Sequence, residues 1–367
     1  MSISNLEVQK RLRKFQAILK AKKLDCLLLL SAEQIFYLTN FAFQDRNGRE
    51  ALLLVEESSL TLLVPAMHQD QTKTVFPNIT IKTLSAGMRY SQLLEPRINS
   101  KKVGVEGMVL TLAEAAVFKK MRAKLTDVNQ ELRMVRAIKT QTEIANITKA
   151  QDITQKALVS VLTNIKLGIS EKELARKLDI AMETLGADEL AFPTIVAFGK
   201  HSAVPHHKAG KTRLKNDNIV LIDMGARVGE YNGDLSRTFY FGKATDIFKK
   251  RFELVQTAQQ AALKKIKAGV EIADIDQAAR AVFEKAEVLD LYLHTTGHGL
   301  GIGVHEFPSL SYLQKDRLEE GMVITVEPGL YEDGWGGIRL EDVVVVAKNG
   351  YKMLGTLDQH WSLPYGG

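Results

Sequence analysis

The chain has 367 residues, 45% of them hydrophobic, with 49 basic and 43 acidic side chains and a formal net charge of +6. Such a length allows about two domains, and such a composition supports a buried core, which excludes a disordered or fibrous chain. The basic residues are scattered in short amphipathic pieces such as "FKKMRAK" and "FKKRFE", so they read as solvated faces and no nucleic-acid partner is expected.

The first segment, "MSISNLEVQKRLRKFQAILKAKK", carries Val8, Leu12, Phe15 and Leu19 at helical spacing and lacks the apolar stretch and cleavage site of a secretory signal. No segment approaches the roughly 20 apolar residues of a membrane span, so no membrane partner is expected. The single cysteine, Cys26, cannot form an intrachain disulfide; within "DCLLLL" it reads as a buried strand thiol, and a cytoplasmic setting is expected.

Up to about residue 130, the strand-like runs "CLLLL", "ALLLVEE", "LTLLVP", "ITIKTL" and "KVGVEG" alternate with amphipathic stretches such as "LTLAEAAVFKKMRAKL". This predicts a small α/β domain over residues 1–131, a sheet covered by helices. No GxGxxG or GxxxxGK[ST] pattern occurs, so nucleotide binding has no support. The segment 41–50, "FAFQDRNGRE", reads as a solvated turn, and 131–140, "ELRMVRAIKT", as a charged link.

Two helical patterns follow, "EIANITKAQDITQKALVSVL" and "EKELARKLDIAMETL", and beyond residue 190 strands dominate: "TIVAFG", "NIVLIDMGARV", "RTFYFG", "MVITVEPG" and "IRLEDVVVVA". The helices "FKKRFELVQTAQQAALKKIKA" and "DIDQAARAVFEKAE" lie between them. Residues 132–367 are thus expected to form an α+β domain, and every chemical motif falls in it.

Four carboxylates sit in or at the ends of apolar strands: Asp223 in "IVLIDMGA", Asp234 in "YNGDLSRTF", Glu327 in "MVITVEPG" and Glu341 in "IRLEDVVVV". Taken singly, each reads as a strand-end acid, a turn residue or half of a surface pair. Jointly they would bring four negative charges into one region of low dielectric, which bound cations make tolerable. Two divalent ions neutralise that charge, and His298 in "LHTTGHGLGIGVHEF" adds a neutral nitrogen ligand. The glycines beside His298 are expected to let the backbone approach the ions. Oxygen donors with one nitrogen suit a dinuclear hydrolytic site holding Mn²⁺, with Co²⁺ or Zn²⁺ as alternatives.

The ordered set "LIDMGA", "GDLSRTF", "TTGHGLG", "VEPG" and "RLEDVVVV" resembles the pita-bread metallopeptidases. The preceding α/β domain resembles the Xaa-Pro branch, that of Xaa-Pro dipeptidase (prolidase) and aminopeptidase P. The resemblance implies a creatinase/prolidase-like N-terminal domain followed by a pita-bread catalytic domain. It also implies that Asp223 chelates one metal, that His298 and Glu327 chelate the other, and that Asp234 and Glu341 bridge the two. By the same route His206 in "HSAVPHH", His294 and His305 become active-site histidines, and Arg339 the partner that orients Glu341. His201 and His207 find no such match and read as loop residues.

The implied reaction is hydrolysis of the Xaa-Pro bond at the N-terminus of dipeptides or short peptides. A water between two metals is the nucleophile and Glu327 the general base. A tertiary amide to proline lacks an N–H, so an extended-backbone grip fails and a dedicated pocket is needed. The family further implies a homodimer, an N-terminal domain that walls the cleft, and a partner-subunit contact for residues 41–50. Alternatives to a dipeptidase are aminopeptidase P activity on longer peptides and, more remotely, a non-catalytic pita-bread protein that binds peptides or proteins. A methionine aminopeptidase would need no domain like residues 1–130.

Overall fold

The computed structural model describes residues 5–46, 48–163, 165–355 and 357–363. The chain divides into two compact units, Met1–Arg136 and Ala137–Gly367. Among the described residues no helix is long and apolar enough to cross a membrane.

The first unit contains α1 (Asn5–Lys22), β1 (Cys26–Leu29), α2 (Ala32–Thr39), β2 (Leu52–Val55), β3 (Leu60–Pro65), β4 (Thr80–Leu84), α3 (Tyr90–Ile98), β5 (Lys102–Val105), α4 (Leu112–Lys120), β6 (Lys124–Asp127) and α5 (Asn129–Val135). Its six strands form one sheet in the order β4-β3-β2-β1-β5-β6. β1 is apolar at every position because it is central, paired antiparallel with β2 and parallel with β5. Burial raises the Cys26 thiol to about 12, so it stays protonated and inert.

Three expectations need correction here. The amphipathic stretch that ends at Leu125 stops being helical at Lys120, and its end forms β6, whose exposed positions on the sheet edge leave no apolar run to read. The charged link begins inside α5, whose buried Leu132 and Val135 are too few to register as a period. The segment 41–50 is not a solvated turn: Phe41, Phe43 and Glu50 are buried. The Glu50 carboxylate accepts the Gln44 and Asp45 N–H groups at 3.0 and 2.7 Å. Asn47, in the same segment, lies outside the described residues.

The second unit opens with two capped helices, α6 (Gln141–Leu162) and α7 (Glu171–Thr184). Thr140 with Glu143, and Ser170 with Glu173, form reciprocal capping boxes at their starts. The strands β7 (Glu189–Leu190), β8 (Ile195–Phe198), β9 (Asn218–Met224), β10 (Ala226–Val228), β11 (Tyr231–Asn232) and β12 (Leu235–Phe241) follow. Then come α8 (Asp246–Leu263), α9 (Ile272–Lys285), β13 (His298–Gly299), β14 (Glu306–Ser309), β15 (Val323–Val326), β16 (Gly329–Glu332), β17 (Gly336–Arg339), β18 (Asp342–Ala347) and β19 (Gly350–Met353). In α9 the buried Ile272, Ile275, Ala279 and Phe283 recur every three or four residues and supply one apolar face.

Two sheets carry the site, one ordered β12-β9-β8 and one ordered β14-β13-β15-β18-β19. The run "IRLEDVVVVA", expected as one strand, is two: β17 ends at Arg339 and β18 starts at Asp342. The buried Arg237 pins that break by donating to the Glu341 carbonyl and, at 2.7 Å, to Asp342 Oδ1. Glu341 therefore sits in a strand break rather than within a strand.

Candidate metal centre

Strand register does the assembling. β9 and β12 pair with Met224 opposite Leu235, so Asp223, and Asp234 just before β12, arrive at one end of that pair. β15 and β18 pair with Val326 opposite Asp342, so Glu327 and Glu341, each one residue beyond the pairing, leave their sheet at the same point. Gly299 pairs with Ile324 and brings His298 to that edge. The Glu341 N–H donates to Ser236 O at 3.2 Å and ties the two sheets together.

The five side chains line a single pocket of about 1120 Å³. Donor atoms of Asp234, His298 and Glu341 lie within 4.8 Å of one another. His298 Nε2 is 3.1 Å from Glu327 Oε1 and 3.8 Å from Asp234 Oδ2. Asp234 is held through its backbone: Gln151 of α6 accepts its N–H at 2.9 Å and donates to its carbonyl at 2.8 Å. Nothing in the spacing of the α6 sequence pointed to Gln151.

The residues fit a divalent cation on three observations. Asp223 Oδ1 and Glu341 Oε1 are buried and have no hydrogen-bond partner, an arrangement expensive enough to need an explanation. His298 Nδ1 donates to the Gly299 carbonyl at 3.1 Å, which turns Nε2 toward the carboxylates, as in a histidine ligand oriented by its other nitrogen. Finally, the acids repel one another. Burial and then Asp223 push Asp234 well above the usual carboxylate range, and burial and then Asp234 do the same to Glu341.

Without a cation, the charge is shared unevenly. Burial disfavours the His298 imidazolium, but the Glu327 hydrogen bond and the surrounding carboxylates outweigh it and lift the ring to about 9. Burial likewise raises Glu327, and the same His298 contact overrides it and brings the carboxyl down to about 2. A proton between them does part of the work a metal ion would do.

The glycines beside His298 serve the neighbouring strands rather than an approach to ions. A Cβ on Gly297 would lie 2.1 Å from Thr325 O, and one on Gly299 2.3 Å from Phe307 O. A side chain at either place would drive β13 away from β15 or β14.

Arg339 departs from its expected partner. Its Nη2 donates to Asp223 Oδ2 at 2.6 Å, its Nε to Ser236 Oγ at 2.7 Å and its Nη1 to Tyr331 Oη at 2.9 Å. The family resemblance implied Glu341 as its partner, but the break after β17 directs the guanidinium to Asp223. Burial raises the Asp223 carboxyl, and Arg339 works against that rise.

His294 is bonded at both ring nitrogens, Nδ1 to Thr295 O and Nε2 to Tyr331 Oη, each at 2.8 Å. A carbonyl can only accept, so Nδ1 carries the proton and Nε2 accepts from the Tyr331 hydroxyl. Asp223, Arg339, Tyr331 and His294 thus form one chain of hydrogen bonds. Tyr331, four residues after Glu327, gave no signal because a single tyrosine in the short strand "GLYE" reads as core. His305 packs edge-on against His298, with ring centroids 4.4 Å apart, and His206 lines the same pocket. Burial, then the charge on His298, lower His305, so its ring is neutral. Apolar walls come from Phe192, Ile195, Leu293 and Val304.

Residues 145–348 match metallopeptidase family M24, and residues 11–138 match the creatinase/prolidase N-terminal domain. The chain is 32% identical over 354 residues to the Xaa-Pro dipeptidase of Pyrococcus furiosus, covering 95% of this chain and 98% of that one. It resembles the solved prolidase of Thermococcus sibiricus with a TM-score of 0.91 at 28% identity, covering 99% of this chain and all (100%) of that one. It also resembles the X-Pro aminopeptidase of Thermotoga maritima, with a TM-score of 0.81 at 29% identity over 93% of this chain and 98% of that one. The chain belongs to metallopeptidase family M24: a peptidase with a creatinase/prolidase-type α/β domain ahead of a pita-bread catalytic domain.

Proposed function

We propose that the protein is an Xaa-Pro dipeptidase, hydrolysing the bond before proline in dipeptides with free N-termini. One observation carries this reading: two orphaned carboxylate oxygens among five metal-type side chains line one pocket, in a chain whose relatives include a named Xaa-Pro dipeptidase. Asp223, Asp234, His298, Glu327 and Glu341 would hold two divalent ions, with manganese favoured by the oxygen-rich donor set. When bound, such ions polarise the scissile carbonyl and acidify a water enough to attack at neutral pH.

The chain's own residues do the rest. Glu327, kept ionised, takes the proton of the attacking water at its carboxylate and returns it to the proline nitrogen as the bond breaks. His206 and His305 supply imidazole donors to the carbonyl oxygen as its charge grows. His294 acts through the chain of Tyr331 and Arg339, holding Asp223 in orientation. The wall of Phe192, Ile195, Leu293 and Val304 takes the apolar parts of the dipeptide and keeps water from them. A homodimer follows from the family resemblance, and a cytoplasmic setting from the lone, buried and protonated cysteine.

Turnover of Ala-Pro beside Ala-Pro-Ala by manganese-loaded enzyme tests the assignment. Cleavage of the dipeptide is the expected result. Cleavage of the tripeptide alone would convert the reading to an Xaa-Pro aminopeptidase, in keeping with the likeness to the Thermotoga maritima structure.

A further inference from the structure

Glu171, the first residue of α7, is fully buried, and the reaction proposed above gives it no part. Its carboxylate receives four donors. The Phe198 N–H and His201 Nδ1 reach Oε1 at 3.0 and 2.8 Å, and the Gly210 N–H and His207 Nε2 reach Oε2, both at 3.0 Å. Phe198 and Gly210 are the two ends of one loop, so a single side chain closes it. His201 and His207 fill the loop with their rings 4.6 Å apart.

The other side of the loop is tied to the strand that carries Arg339. Gly337 N–H donates to Ser202 Oγ at 2.7 Å, and Arg339 Nη1 donates to Pro205 O at 3.3 Å. The residue after Pro205 is His206, which lines the pocket. Donor atoms of Glu171, His201 and His207 also lie within 4.8 Å of one another, a spacing compatible with a cation. The bonding argues against one. Each Glu171 oxygen already accepts two N–H groups, whereas Asp223 and Glu341 each keep an oxygen without a partner.

We infer that Glu171, gripped by His201 and His207, is a positioning residue that holds the 198–210 loop closed and thereby sets His206 in the reaction pocket. The inference rests on the role given to His206 above. Burial disfavours the Glu171 carboxylate, but the His207 bond, the two backbone bonds and the His201 bond more than compensate and lower its pKa. The clasp is therefore charged and fully bonded at neutral pH. Its loss would strand buried donors and let the imidazole of His206 drift, and a displacement of about 1 Å can cost roughly a hundredfold in rate.

A double-mutant cycle on metal-loaded full-length enzyme with Ala-Pro tests it. Glu171→Gln is expected to lower kcat by about a hundredfold while KM and metal content stay nearly constant. In a His206→Ala background the same change is expected to add less than about threefold, because the two act as a unit. His207→Gln, which keeps a donor, should retain much of the kcat that His207→Ala loses; this pair carries the test if Glu171→Gln fails to fold. Full additivity with His206→Ala, or equal losses in the two His207 variants, overturns the inference. So does a third metal ion per chain that disappears in His207→Ala. Amide exchange through residues 199–209 provides a readout free of turnover: acceleration in Glu171→Gln supports the clasp, and unchanged exchange overturns it. Absence of Ala-Pro hydrolysis by the wild type would instead defeat the proposed function.

Discussion

Two buried groupings of carboxylate and imidazole lie in the catalytic unit, and they solve the cost of buried charge in opposite ways. Around Glu171 the acid is alone, and four N–H donors saturate it. Around His298 four acids meet with too few donors, and Asp223 Oδ1 and Glu341 Oε1 are left without partners. The same residue types therefore give a self-sufficient clasp in one place and a site that needs cations in the other. What separates them is the ratio of negative charges to available donors, not residue identity.

The sharpest way to break that contrast is to remove an acid from the deficient cluster. Glu327→Gln is expected to lower kcat on Ala-Pro by about 10²–10⁴-fold, the range of a lost general base. Unaltered turnover would remove Glu327 from the chemistry. Chelation comes next: dialysis against EDTA should abolish activity and lower the melting temperature, and excess Mn²⁺ should restore both. Saturation at about 100 times the dissociation constant corresponds to roughly 2.7 kcal/mol. A melting temperature indifferent to metal would mean that the acids do not depend on a cation.

Smaller effects probe the hydrogen-bond chain behind Asp223. Arg339→Lys loses the forked geometry that reaches Asp223, Ser236 and Tyr331 together, and Tyr331→Phe cuts the link from Arg339 to His294. Each is expected to cost about 10- to 100-fold in activity or metal affinity, the usual price of a lost second partner to a ligand. Equal activity of Tyr331→Phe and wild type would detach His294 from the site.

The smallest effect separates the two groupings by sign. In metal-free protein, Asp234 and Glu341 are shifted up, and His298 up to about 9. Their contribution is complete below the unfolded pKa values and fades as pH rises through the shifted ones. Glu171 is shifted down from 4.5, so its contribution is present above that value and is lost as pH falls below it. Melting curves of chelated enzyme should therefore weaken on the alkaline side toward pH 9, where added Mn²⁺ restores stability. On the acid side, Glu171→Gln should flatten the decline relative to wild type. A chelated enzyme that gains stability between pH 7 and 9 would contradict the first half, and parallel acid limbs the second.

Much of this was legible in residue order. Acids in or beside apolar strands are conspicuous, and Asp223, Asp234, Glu327 and Glu341 all carry that mark in residue order, as four side chains that line one pocket. Long amphipathic helices such as α8 and α9 were readable because an apolar stripe repeats over several turns. Edge strand β6 and the short α5 were not, since neither buries enough side chains to leave a period. Gln151, Tyr331 and Glu171 were also invisible. Each sits in an unremarkable helix or strand pattern and bonds a segment 27 or more residues away, and Tyr331 also bonds Arg339 across the β16–β17 hairpin.

Local sequence, then, determined which side chains carry charge into apolar strands, where the helices start, and that the chain would build an α/β unit followed by a metal-dependent one. Those properties depend on neighbours along the backbone. Tertiary structure alone decided that Arg339 serves Asp223 rather than Glu341, that Gly297 and Gly299 make room for adjacent strands, and that two loop histidines grip a helix-start glutamate. The first depends on the break between β17 and β18, the second on the register of β13 against its neighbours, and the third on the closure of a loop onto α7; each is settled by packing between distant segments, which no local pattern encodes.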